Sequence, residues 1–153
     1  MIAVLTQLIG ALCASMAAGV TLEIPRIFIF RASVIGALSY VIFLYAQGRY
    51  GTYPAYLIAC IFFTVAAHIF ARKYKAPVTI FLIPSFFLYV PGTSMYRMAL
   101  SFIQLDYAQS QHYLIDTLSI AGIIAVGVFF VDSIVEIIIK IINHRHRIIA
   151  NKK

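Results

Sequence analysis

The sequence predicts an all-α, polytopic integral membrane protein, and three observations predict it. Hydrophobic residues make up 63% of the chain and charged residues only 11%, far from the balance of a water-soluble domain. The apolar residues gather into five long runs rather than short alternating stripes. Lysines and arginines fall at the ends of those runs, so the formal charge of +7 reports topology rather than affinity for nucleic acid. In 153 residues there is room for four or five spans and no separate soluble domain. A single transmembrane domain over residues 1–142 followed by a basic cytoplasmic tail, 143–153, is expected.

The first run, residues 2–22, has no basic leader, and Gly10-Ala11-Leu12 before Cys13 fits a lipoprotein cleavage site poorly. It reads as a retained helix. Gly10, Ala14 and Ala18 fall on one stripe, with Ala11, Ser15 and Gly19 beside it, a small-residue face that admits another helix closely. That helix belongs either to a second subunit or to this chain. The second and third runs cover residues 29–46 and 53–71. Cys13 and Cys60 lie inside apolar runs and read as small buried hydrophobes.

The fourth run, residues 76–105, is the informative one. Its roughly 30 residues would make a helix of about 45 Å, longer than a bilayer core. Pro84 and Pro91-Gly92 interrupt it. Proline removes a backbone donor, and a break at membrane depth persists only where protein or a watery cavity satisfies the freed groups. The second half begins near Thr93 and Ser94, either of which can cap it, and Arg97 follows in its first turns. Gly92, Thr93, Ser94 and Arg97 are therefore the expected seat for a substrate carboxylate. A simple proline kink, with Arg97 reaching outward or pairing with an acid, is the alternative.

The fifth run covers residues 114–142. Asp132, Glu136 and Lys140 are four apart and share one face, with Lys140 able to neutralise Glu136. Asp132 lies deeper and should hold a proton or face a cation, for which Arg97 is a candidate. Otherwise it forms a bridge in the cytoplasmic interface layer. His68 is either a proton relay or a hydrogen-bonded structural histidine. Glu23 and Arg26 read as an interfacial pair around Pro25. Tyr50, Tyr53, Tyr107 and Tyr113 read as an aromatic belt.

Basic residues set the orientation. Arg26 and Arg31 flank the first connection, Arg72, Lys73 and Lys75 fill the third, and Lys140, Arg145, Arg147, Lys152 and Lys153 mark the C-terminus. The second connection holds only Arg49 and the fourth has no basic residue. Five spans with the N-terminus outside and the C-terminus cytoplasmic put the clusters on one side. The sequence His144-Arg145-His146-Arg147 reads as an anchor to anionic lipid rather than a metal site. Phosphate loops, zinc-helix motifs, nucleophile elbows and Cys/His clusters are absent from the sequence. Neither catalysis nor a cofactor or metal is expected.

The stretch from Lys75 through Pro84 and on through Tyr89-Val90-Pro91-Gly92 to Arg97 resembles the threonine/serine exporter (ThrE) family, in its small YjjB-like type corresponding to a C-terminal half. Its most specific element is P-x(6)-P-G-x-x-x-Y, and the likeness extends over Pro25-Arg26, Gly36, the 70–75 connection and Leu105-Asp106. The resemblance implies a bacterial inner-membrane exporter subunit working with a larger YjjP-like membrane partner as a hetero-oligomer. It implies cargo such as threonine and serine, or succinate-like dicarboxylates, and export drawing on the proton gradient. It also carries the helix break onto Pro91 and Gly92, with Arg97 on the next half-helix. A noncatalytic scaffold subunit and an intramembrane lipid enzyme are the rival readings.

Overall fold

The computed structural model describes the backbone of residues 2–150 and the side chains of residues 5–141, and the described residues form helices and short connections. In chain order these are α1 (Ile2–Thr21), α2 (Arg26–Tyr50), α3 (Thr52–Tyr74), α4 (Val78–Phe86) with a 3₁₀ turn Phe87–Tyr89, α5 (Gly92–Ile103) and α6 (Tyr107–Ala150). The helices α2 and α3, and α6 over Tyr107–Ile141, are each long and apolar enough to cross a membrane. The bent pair Val78–Tyr89 and Gly92–Ile103 makes a fourth crossing if taken as one span, and α1 is a shorter apolar helix over Leu5–Thr21. The expected basic tail lies outside the residues whose side chains are described. Its backbone prolongs α6 as far as Ala150.

Local chemistry explains where the helices stop. Glu23, Lys75 and Leu105 take left-handed φ values of 54°, 51° and 62° after α1, α3 and α5. At each, two amides turn back to the carbonyls of the last turn, as in Lys75 N–H to Arg72 and Ala76 N–H to Ala71. Pro25 and Pro77 then forbid continuation. After α5 the same role passes to Asp106, whose Oδ1 accepts the amide of Gln109 at 3.0 Å and starts α6. The α2–α3 connection is Gly51 alone, at φ 86°, a conformation that glycine adopts without steric cost. Glu23 is thus an exposed turn residue, and among the described residues it forms no ion pair with Arg26.

The helices α2 and α3 form the centre, with α1 and α4 packed on α2, α4 also on α3, and α6 on α3. α5 packs chiefly on α6. The core is aromatic: Tyr89 stacks on Phe63 at 5.3 Å, meets Phe43 and Tyr56 edge-on, and donates its hydroxyl to Ser39 Oγ at 2.8 Å. Ser39 in turn donates to the Gly36 carbonyl at 2.8 Å, so the buried tyrosine is fully engaged. Gly36 itself is a close-approach position, since a methyl there would lie 2.7 Å from Ser15 Oγ.

That junction decides the fate of the small-residue face on α1. Ala11, Ser15, Ala18 and Gly19 are buried within the chain, whereas Gly10 and Ala14 remain exposed. Basic residues of separate helices share one end of the bundle: the Arg31 guanidinium lies 4.2 Å over the Tyr74 ring, beside Lys73.

Candidate functional site

Pro84 does not itself end the helix. α4 continues through it to Phe86. Ser15 of α1 donates to the Pro84 carbonyl at 3.1 Å, and Ser85 Oγ lies 3.2 Å from the Phe81 carbonyl. The chain then tightens into the 3₁₀ turn, extends at Val90 and bends at Pro91, where ψ is 52°. Gly92 starts α5, and the two halves meet at 44°. Tyr89, on the last turn before the break, contacts Ser39 and Phe63 near the middles of α2 and α3, so the interruption sits at mid-depth of the bundle.

A cavity of about 190 Å³ opens there. It is lined by Tyr40, Phe43, Tyr56 and the segment from Leu88 to Ser94. Neither Thr93 nor Ser94 caps α5, in contrast to the sequence expectation. Pro91 occupies the cap position with no side-chain bond, and its carbonyl accepts the Met95 amide at 3.0 Å. Thr93 and Ser94 lie within the first turn instead, where a helix leaves its amides without intrahelical acceptors. Both residues, at the positive end of the helix dipole, are among those that line the cavity.

Ser94 has a different partner. Its hydroxyl donates to Asp116 Oδ2 of α6 at 2.6 Å, and Tyr53 of α3 donates to Oδ1 of the same carboxylate at 2.9 Å. Asp116 therefore ties α3, α5 and α6 together beside the break. Arg97 lies outside the cavity wall, exposed, with its guanidinium 5.8 Å from the Tyr113 ring. Sequence reasoning missed Asp116 and assigned Tyr53 and Tyr113 to an interfacial belt. A carboxylate two residues inside an apolar run was the available signal.

A second polar pair lies further along α6. His68 Nε2 and Asp132 Oδ1 are 2.6 Å apart, the one ion pair among the described residues. Asp132 thus pairs with His68 and not with Arg97, because Arg97 sits at the level of Tyr113, five helical turns away along α6 by about 3.6 residues per turn. Glu136 is exposed one turn beyond and forms no ion pair with Lys140 among the described residues. His68 also borders a small cavity of about 130 Å³ with Arg72, Val135 and Ile138. On its other side, Asp132 borders an apolar groove of about 830 Å³ that separates α4 from α6 and reaches Pro91 and Met95.

Comparison with models of known families matches residues 7–134 to the threonine/serine exporter, ThrE. The chain belongs to the threonine/serine exporter family. The match runs from α1 through the break and past Asp132, so both polar sites lie inside the family's shared region. Searches of curated proteins and of solved structures returned no match. This ThrE-family chain is accordingly a membrane protein of exporter type, with its helices, its interrupted span and its family in agreement.

Proposed function

We propose that this ThrE-family chain is one subunit of a two-component secondary exporter for small carboxylate metabolites, threonine and serine or succinate-like dicarboxylates, in the bacterial inner membrane. The observation that carries the reading is the interrupted span at mid-depth, with a cavity walled by Val90 to Ser94. Backbone amides there are donors already in place for an anion, and an interrupted helix at mid-membrane is the arrangement by which secondary transporters bind such cargo. Gly92, Thr93 and Ser94 form the seat. Arg97, one turn outward, draws the anion to the mouth of the cavity.

The proton gradient supplies the energy in this reading. His68 and Asp132 share a short hydrogen bond between a small cavity beside Arg72 and the long groove toward the break, which suits a group that takes up and releases a proton. Glu136 is exposed toward the basic end and would pass protons to the pair. The partner, a larger YjjP-like membrane subunit, covers the groove between α4 and α6. A half-exposed Asp132 at the edge of so apolar a groove favours a neighbour that brings a polar group to it.

The test is efflux of radiolabelled threonine and succinate from vesicles holding both subunits, with and without an imposed pH gradient. Arg97→Ala should reduce efflux sharply while the protein still inserts. Unchanged efflux would remove Arg97 from the pathway. Flux through the partner alone, equal to that of the pair, would instead make this chain a scaffold.

A further inference from the structure

Two cations on different helices converge on one aromatic ring. The Arg31 guanidinium of α2 lies 4.2 Å from the centre of the Tyr74 ring, and Lys73 Nζ of α3 lies 5.8 Å from it. Phe28, Phe70 and Phe81 surround that ring at centroid distances between 5.9 and 6.2 Å, so the core fixes its place. Arg31 is half-buried. Glu23, in the turn before α2, and Glu136 of α6 are exposed, and among the described residues neither they nor Arg31 form an ion pair. An aromatic face attracts a cation but carries no net charge, so two positive groups stay close together with nothing to neutralise them. An anion between them would replace that repulsion with two attractions.

The location says which anion. α2 begins at Arg26 and α3 ends at Tyr74, and both are long enough to cross a membrane. The two cations therefore lie near helix ends, where hydrocarbon gives way to lipid headgroups. Leu38, seven residues on from Arg31, and Ile69, four before Lys73, share the faces of the two cations and lie exposed one to two turns deeper. Charge above and exposed apolar surface below fit a molecule that is anionic at one end and hydrocarbon at the other. We infer that Arg31 and Lys73, with the guanidinium held over Tyr74, form a headgroup site for an anionic phospholipid. The planar guanidinium takes two phosphate oxygens, and the ammonium reinforces it as a point charge.

The experiment titrates the full chain, purified in a neutral detergent, with phosphatidylglycerol, phosphatidylcholine or inorganic phosphate, and reads the rise in thermal midpoint as an apparent affinity. Phosphatidylglycerol should act at concentrations about tenfold below those of phosphatidylcholine, and inorganic phosphate should have no effect over the same range. Arg31→Ala should weaken the phosphatidylglycerol response about tenfold, the loss expected when a charge-assisted contact fails. Lys73→Ala should weaken it in the same direction, and Arg31→Lys, which keeps the charge without the fork of donors, should restore part of the loss. Arg26→Ala removes an exposed cation from the same end and should stay within about twofold of the parent. If Arg31→Ala does not fold, Lys73→Ala against Arg26→Ala carries the same comparison. Equal losses in the compared variants would mean diffuse attraction and overturn the site, as would equal responses to the two lipids. A response to inorganic phosphate matching that to phosphatidylglycerol would overturn the lipid and leave a soluble anion in its place.

Discussion

Asp132 and His68 are 64 residues apart in the chain and 2.6 Å apart in space. Each was conspicuous in the sequence for its own reason, a carboxylate or an imidazole within an apolar run. Their partnership was not legible, because it depends on how α3 and α6 align along their lengths. Arg97 therefore stood as the candidate cation for Asp132, and the structure puts it elsewhere. Asp116 shows the opposite failure. It lies near an expected span end, where an acid reads as ordinary interface, and only the alignment of α5 with α6 brings it to Ser94. If the His68–Asp132 pair carries the coupling proton, Asp132→Asn should flatten the dependence of efflux on pH while threonine binding persists. Efflux from vesicles at several internal pH values measures this, and a parent-like profile would assign the pair to structure.

At the scale of elements, the broken span was the most legible feature, because Pro91 and Gly92 act through backbone chemistry that needs no tertiary information. Even so, the two prolines behave differently. α4 runs on through Pro84 to Phe86, whereas the chain turns at Pro91. The hydroxyl that serves Pro84 comes from Ser15, which also faces Gly36, so α1, α2 and α4 meet at one point. A side chain at Gly36 must displace Ser15 or Leu88 there. Gly36→Val should destabilise the protein by about 1–3 kcal/mol, the usual cost of overpacking a filled core. Thermal unfolding in detergent reads this out, and Gly10→Val, where nothing lies within 4 Å, is the control expected to behave like the parent.

The whole molecule follows the sequence in its class and in the grouping of its charges. Hydropathy alone separates the long helices, and the basic residues Arg31 and Lys73 come together around Tyr74 as their positions at run ends suggest. What hydropathy could not foretell is the uneven attachment of the last two helices, since packing partners are set by side-chain shape rather than by mean polarity. If the N-terminus lies outside and the C-terminus is cytoplasmic, Lys75 and Gln109 lie on opposite sides of the membrane. In a Cys13→Ala background, a membrane-impermeant thiol reagent added to intact cells should label Gln109→Cys and spare Lys75→Cys. The reverse pattern would invert the orientation.

The attachments of the two half-helices differ in what it takes to undo them. α4 is wedged among three neighbours, with Phe81 and Tyr89 sealed in aromatic contacts, so swinging it aside would expose a large part of the interior. α5 leans chiefly on α6, and two hydroxyl–carboxylate links at Asp116 fasten α3, α5 and α6 together. Uncovering the cavity on that side therefore asks for little more than exchanging those links for water. A carrier assembled this way would unlatch more readily on the α5 side than on the α4 side.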